Sequence, residues 1–512
     1  MSPTASFKKR YSFKLLTNIV GMGVGLVTQA IVPRVLGPAS YGNYSFLTDY
    51  FWQLIGFLNL NSSTALYTKL CQRPNEKSLV RVYACFSIII GSVALLFILF
   101  SYLSGFSQIL WPEQAMSFII LAFVLAYFRY CNDTLISISD AFGWTIKSEL
   151  SNVIQRIFSL ILVLLLFFLH LLNLGSYLIL QIATLSLSIT LLIFIVNKKR
   201  IFFESWHLQW LQVRGYIKEF WVFCAPLFIF SAVSVLTVIF DRWLLQKSAG
   251  SIEQGYYGLG YQIGAVSLLV TSAMIPLVFR EYAVSLGKGD NAEFKRVLLR
   301  YLPMLYSISA YFGCFLAVES KSVIRLFGGN AYSQAIFPVS LMCLYPIHQT
   351  LGQLNASVYF AAHRTDIYRN IGIGCSVVGL FMSLLLLGPK EYGGFEAGAN
   401  GLSIKMILIQ FISVNIQLFY ITRIWGIKRS RLVIHQIVVP ILFLSGAYAC
   451  SYVSYTLAGD LPFIIPFFVS GIMYTASIIL LAILFPTIFS VSRGEMFGLM
   501  SGVKKVLTRY RC

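Results

Sequence analysis

The stretch Pro33-Arg34-Val35-Leu36-Gly37-Pro38-Ala39-Ser40-Tyr41-Gly42-Asn43-Tyr44-Ser45-Phe46 decides how the chain is read. It closes one apolar segment and opens the next. Two prolines and two glycines punctuate it, so the backbone is expected to turn sharply and leave the helix. It also carries Arg34, the first charge after Lys14. A weaker copy, Gly255-Tyr256-Tyr257-Gly258-Leu259, begins 213 positions after Gly42 and again sits between two apolar segments. A turn and its echo at that distance imply two like halves, each several helices long.

The 512 residues are 58% hydrophobic and 11% charged, against about 25% charged in soluble domains. Too few charges are present to cover a water-facing surface. The apolar residues come in blocks such as Ser87–Phe100, Ile157–Leu172 and Ile464–Phe485. Runs of about 20 mainly apolar residues cross a bilayer as helices. Alternation in period two is absent, which argues against a transmembrane barrel. The reading is an all-α polytopic membrane protein. Lys8, Lys9 and Arg10 precede the first apolar segment, and no small-residue cleavage site follows it. That segment is therefore expected to be an uncleaved first span.

Nine cysteines are scattered, with no Cys-x-x-Cys and no Cys/His cluster. Neither a disulfide framework nor a metal site is expected. The net charge of +20 lies in short connectors, where it sets topology and meets anionic lipid; nucleic acid is not the expected partner.

Fourteen spans are expected, near 13–33, 43–66, 82–103, 116–138, 151–172, 175–197, 219–241, 256–279, 298–319, 337–361, 367–388, 399–422, 433–455 and 463–488. With the amino terminus in the cytoplasm, 31 of the 39 lysines and arginines fall on the inside, and 6 fall outside. Arg129 and Lys405 fall within spans. This bias places both termini in the cytoplasm. The organisation is then an amino-terminal lobe of six spans (1–197), a basic cytoplasmic linker (198–218), a second lobe of six spans (219–423), and two further helices with a basic tail (424–512). Trp206 and Trp210 in the linker suit a short helix at the membrane interface. Parallel halves of this kind place a substrate path between them in many transporters.

Enzyme signatures are missing: there is no Gly-x4-Gly-Lys loop, no Gly-x-Ser-x-Gly and no His-Glu-x-x-His. Without a nucleotide-binding domain, directional transport would draw on an ion gradient, the membrane potential or the substrate's own gradient. The informative residues are charges inside or at the ends of spans, since an ion in hydrocarbon must be paired or face a wet cavity. Asp49 lies in span two, where pairing with a cation from another span is expected. Arg129 and Asp133, four apart in span four, either pair with each other or serve a cavity. Asp241 and Arg242 close span seven, a position that suits the outer interface. Arg34 and Lys321 stand at outer helix ends, in reach of headgroups. Lys405 lies deeper, among Ile404, Met406 and Ile407. His348 lies mid-span beside Gln349, Gln353 and Asn355, either on a wet polar face or in helix packing.

The Arg-x-Leu-Gly-Pro-x-x-Tyr-Gly-x-Tyr pattern of Arg34 to Tyr44 resembles the hallmark of Wzx-type O-antigen and polysaccharide flippases. These form part of the multidrug/oligosaccharidyl-lipid/polysaccharide exporter superfamily. Leu326-Phe327-Gly328-Gly329-Asn330-Ala331-Tyr332 and Tyr392-Gly393-Gly394-Phe395-Glu396-Ala397-Gly398-Ala399 are similar to the family pattern as well. The resemblance implies a two-lobed fold like that of multidrug MATE transporters, with two extra carboxy-terminal helices and a central cavity open to either side in turn. It implies a bacterial inner-membrane protein whose cargo is an undecaprenyl-diphosphate oligosaccharide. Membrane lipids would surround it, and a polysaccharide polymerase and chain-length regulator would act after it. Coupling to H+, Na+ or the membrane potential is left open, and no cofactor is expected. On this analogy Arg34, Arg129, Arg242, Lys321 and Lys405 are the cation candidates. Asp49, His348, Tyr41 and Tyr257 join them, the tyrosines as platforms for sugars. Span one lacks the acidic residue that drug-exporting relatives use for cation coupling. The alternatives are a lipid II flippase or multidrug antiporter of the same superfamily, and a membrane glycan enzyme, either O-antigen polymerase or ligase. The enzymes would need a larger outer loop than this chain has.

Overall fold

The structure is a computed structural model that describes residues 7–73, 76–197, 210–459 and 461–490. Trp206, most of the expected linker and the basic tail lie outside the described residues. Helices account for nearly all of the rest. They are α1 (Phe7–Asn59), α2 (Ser62–Gln72), α3 (Lys77–Leu103), α4 (Ser107–Leu110), α5 (Met116–Ala141), α6 (Thr145–Phe168), α7 (Leu174–Asn197) and α8 (Trp210–Ala265). They continue as α9 (Leu268–Gly287), α10 (Asn291–Val318), α11 (Ser320–Phe327), α12 (Ile336–Ala361), α13 (Thr365–Leu387), α14 (Gly398–Trp425), α15 (Arg429–Ala458) and α16 (Ile464–Leu484).

Among the described residues, 11 helices are long and apolar enough to cross a membrane. Two of them, α1 and α8, are each two spans fused across a kink. Helix α12, whose face carries His348, Gln349, Gln353 and Asn355, completes the fourteen expected spans. Two spans are interrupted. Leu60 and Asn61, both left-handed (φ 50 and 61), part α1 from α2, and residues 266–267 part α8 from α9.

The opening turn differs from the expectation. The chain does not leave the helix over Pro33–Gly42; it breaks at one residue, Gly37 (φ 72, ψ 171). That region of backbone space is essentially open to glycine alone. Pro38 begins the helix after the break, where a missing N–H costs nothing. The echo is helical too, and its break falls earlier, at Gly250 (φ 79, ψ −177). Gly37 and Gly250 are 213 positions apart, the same interval as Gly42 and Gly255. These latter two glycines serve contact. A Cβ on Gly42 would strike the carbonyl of Ser251, and one on Gly255 would strike the carbonyl of Pro38. Without a hydrophobic drive in lipid, such small-residue crossings bring helix backbones into dispersion contact.

The chain forms two compact units. One holds the described residues up to Gly258 with Ser383–Gly398; the other holds Leu259–Met382 and the described residues from Ala399 onward. In the first unit, Trp111 is fully buried among Tyr50, Phe51 and Phe97. It roots the loop Trp111-Pro112-Glu113-Gln114, which pins both kinks. Gln114 donates to Asn43 at 2.7 Å just past the first. Past the second, the Glu113 carboxylate accepts from the Ser251 amide (3.1 Å), the Ser251 hydroxyl (2.7 Å) and Gln246 (3.0 Å). A helix restarting after a kink has free N–H groups that favour such an anion. In the second unit, α9, α10, α12 and α15 surround a core that includes Tyr282, Phe294, Tyr306, Tyr359 and Phe443. There Gly264 and Gly313 meet the backbones of Met342 and Cys343.

Candidate functional site

Asp49 lies on α1 beyond its kink, and Arg242 lies on α8 before its own. The crossing at Gly42 and Gly255 sets these helices side by side, and the two charges meet. Nη2 of Arg242 pairs with Oδ2 of Asp49. Its Nη1 donates to Oε1 of Gln254 at 3.0 Å, and the Gln254 amide donates back to the Arg242 carbonyl. The guanidinium carbon lies 4.5 Å from the centroid of the Tyr257 ring, a cation–π distance. The Arg242 side chain is 8% exposed and that of Asp49 is 42% exposed. The pair is thus closed around its cation and open at its anion.

Tyr41 is buried alongside, its hydroxyl donating to Gln29 at 3.3 Å. Its ring leads to Tyr44 (6.1 Å) and on to Tyr177 (5.0 Å). Arg129 on α5 sets its guanidinium 4.6 Å from the Trp52 ring. Trp52 follows Asp49 by three residues and shares its face of α1. No ion pair joins Arg129 to Asp133, the alternative that their spacing left open. An arginine placed before its acid along a helix is the weaker order, and the indole face takes the guanidinium. Asp241 and Arg242 are both buried in the protein, and Asp241 accepts a hydrogen bond from Ser383.

The first unit therefore gathers Tyr41, Asp49, Arg242 and Tyr257, with Arg129 one turn along. Arg34 is in the same unit, exposed one turn before Gly37. The other candidates lie in the second unit. Lys405 is 4% exposed, and its stem lies against Gly379, where a Cβ would stand 3.2 Å from Cε. Lys321 is exposed on α11, two residues beyond the buried Glu319, which accepts from Tyr455 at 3.2 Å. His348 packs edge-on to Phe411 at 5.2 Å. Among the described residues no three His, Cys, Asp or Glu side chains converge as a metal site.

Three residues escaped the sequence reading. Gln254 holds Arg242, Gln29 holds Tyr41, and Glu113 holds the second kink. The first two carried a signal: Gln29 and Arg242 are 213 apart, as are Tyr41 and Gln254, so both bonds span twelve residues across equivalent kinks.

Chemically, the arrangement is a guanidinium fixed by an amide, a ring and a carboxylate, of which only the carboxylate reaches the surface of the unit. A phosphate arriving from that side can take the place of Asp49 on Nη2 of Arg242 by a charge-assisted contact. The rings of Tyr41 and Tyr257 lie buried beside it.

Residues 7–280 match the family described as polysaccharide biosynthesis protein. The lipopolysaccharide biosynthesis protein WzxC of Escherichia coli (strain K12) is 23% identical over 191 residues, which is 37% of this chain and 37% of WzxC. The match therefore spans little more than a third of that relative. Among solved structures, the lipid II flippase MurJ in an inward closed conformation superposes with a TM-score of 0.66 at 14% identity. It covers 92% of this chain and 98% of that one. An inward-facing multidrug resistance MATE family transporter of the MOP superfamily gives 0.62 at 13% identity, covering 80% and 98%. The fold of these transporters is the fold of this protein, and the chain belongs to the polysaccharide biosynthesis protein family.

Proposed function

We propose that this protein is a flippase for lipid-linked oligosaccharide. It would move undecaprenyl-diphosphate repeat units of O-antigen, capsule or exopolysaccharide from the cytoplasmic to the periplasmic leaflet of the bacterial inner membrane. The observation that carries the reading is the Arg242–Asp49 pair, a cation held inside a membrane unit with its counter-ion open to exchange. A diphosphate leaving water must find replacement partners in the protein, and Arg242 supplies one once Asp49 yields. Arg129 supplies a second charge one turn away. The lipid chain stays in the bilayer throughout. Both termini are cytoplasmic in this reading, on the distribution of basic residues. A gradient of H+ or Na+, or the membrane potential, drives the cycle, and a polymerase with its chain-length regulator takes the product.

The test is lipid extraction from cells lacking the protein, with the leaflet of the undecaprenyl-diphosphate oligosaccharide determined. Accumulation of single repeat units on the cytoplasmic side is expected. Units that reach the periplasm and stay unpolymerised would instead indicate a polymerase or ligase. The MurJ likeness, which covers more of the chain than the MATE one, favours lipid II as the second reading. In that case the peptidoglycan precursor would accumulate and the oligosaccharide pool would stay unchanged.

A further inference from the structure

A cavity of about 160 Å³ lies in the first unit, away from the Arg242 site. Its wall is formed by Leu60, Tyr83, Phe86, Phe220, Trp221 and Cys224, and it is almost wholly carbon. The polar groups behind it are already engaged with one another. Asn59 accepts from Ser62 (2.6 Å) and Tyr83 (2.9 Å), and Tyr83 meets Tyr130 at 3.0 Å. A dry apolar cavity of this size holds a small hydrocarbon.

The wall contributed by α8 is held in place from its far side. Arg73 and Lys69 reach Glu219 at 2.5 and 3.7 Å, and Tyr216 donates to Glu76 at 2.5 Å. That clamp fixes which faces of α8 remain. Ile217, Phe220, Trp221 and Cys224 line the cavity. Arg214, Lys218 and Trp221 recur at four and three residues, so they form one stripe bordering that lining. All three are exposed, as is Ile217. Arg214 and Lys218 lie towards the charged end of the helix, and no acidic side chain among the described residues pairs with either. On that spacing Lys218 stands within a turn of the cavity lining and Arg214 one turn further, both on the exposed side of α8.

We propose that this cavity is a lipid site, which takes the first methylenes of one acyl chain of an anionic phospholipid, with the phosphate on Arg214 and Lys218. The small volume suits a short run of methylenes. Two cations at headgroup level suit a phosphodiester whose charge no choline or ethanolamine offsets. That part of the chain would rest against Leu60, one of the two left-handed residues at the α1–α2 break, so the bound lipid braces that break. The site is independent of which cargo the protein carries.

The test uses the full chain in nanodiscs of phosphatidylcholine, with a small fraction of brominated phosphatidylglycerol or of equally brominated phosphatidylcholine. The signal of Trp221, one of 8 tryptophans, is isolated as the difference between the wild type and Trp221→Phe. Each surface cation contributes attraction worth about fivefold in occupancy. Brominated phosphatidylglycerol should therefore quench Trp221 at a several-fold lower fraction than brominated phosphatidylcholine, and Arg214→Gln/Lys218→Gln should abolish the difference. Both residues are exposed, so the double variant should fold normally. Equal quenching by the two lipids, or an undiminished preference in the double variant, would overturn the proposal. So would full recovery of Trp221 fluorescence with equimolar polyprenyl phosphate where unlabelled phosphatidylglycerol gives none, because the occupant would then be the isoprenoid carrier.

Discussion

At the first kink the Tyr41 hydroxyl donates to Gln29 at 3.3 Å; at the second, the Arg242 guanidinium donates to Gln254 at 3.0 Å. The backbone is alike in both places: a glycine at φ 72 or 79, a second glycine five residues on, and a polar bond that bridges twelve residues over the break. The direction of the bond and its charge differ. The first kink is closed by a neutral bond, and the second by a cation whose charge must be answered from elsewhere, by Asp49. The shared backbone is what two packed helices need whatever the protein does. Under the proposed function, the unshared charge is what would meet the cargo's diphosphate.

The largest effect should come from breaking what the kinks share. Gly42→Leu or Gly255→Leu pushes a side chain into a facing carbonyl, and no rotamer relieves a backbone clash. Overpacking alone costs typically 1–3 kcal/mol, and two rigid helix backbones give less room than a core. Folded protein should be lost from the membrane, read as abundance and as a monodisperse peak on size exclusion. A normal peak from either variant would show that the two backbones do not rely on this approach.

Next comes the charge itself. Arg242→Gln gives the second kink a neutral side chain like that of the first. Asp49 is left half exposed and able to hydrate, so insertion and abundance should hold. Transport of lipid-linked repeat units should fall on the order of a hundredfold, the equivalent of about 2–3 kcal/mol for a charged hydrogen bond. Retained transport at matched abundance would detach the cation from the cargo.

Asp49→Asn tests the other partner and should cost stability instead. It leaves Arg242 buried without its counter-charge, a loss of about 1–3 kcal/mol once the exposure of Asp49 is allowed for. The double variant Asp49→Asn/Arg242→Gln should recover thermal stability and stay inactive. A double variant as unstable as Asp49→Asn alone would mean that the two side chains are not coupled. Glu113→Gln should weaken the second kink and spare the first, because only Ser251 and Gln246 depend on that carboxylate. A charged hydrogen bond to a helix start made neutral costs about 1 kcal/mol. Thermal unfolding of the purified protein is the readout, and an unchanged midpoint would count against the cap.

The spans were legible because hydrocarbon leaves the chain little choice. A helix of apolar residues shows in composition. The site was legible in part. Asp49 and Arg242 stood out as charges in apolar surroundings, but their pairing depends on two helices crossing at Gly42 and Gly255, and one-dimensional spacing does not give a crossing. Punctuation misled at the opening turn for a related reason. Pro33, Pro38 and Gly42 were read as helix breakers, yet a proline at a helix start and a glycine at a helix contact are both compatible with helix, and Gly37 alone takes the strain. Glu113 stayed hidden because a loop carboxylate carries no mark of what it will touch, and Gln254 was marked only by its 213-residue offset from Tyr41.

The smallest effect belongs to the neutral bond at the first kink. Tyr41→Phe removes one hydroxyl and keeps the ring. Gln29 then loses the hydrogen bond it accepts, which costs about 0.5–1.5 kcal/mol. Stacking towards Tyr44 and Tyr177 survives, so if Tyr41 serves the cargo as a flat platform, transport should be unchanged within twofold while the unfolding midpoint falls slightly. A large loss of transport at normal stability would mean that the hydroxyl itself meets the cargo. The two kinks would then differ in charge and share a role in recognition.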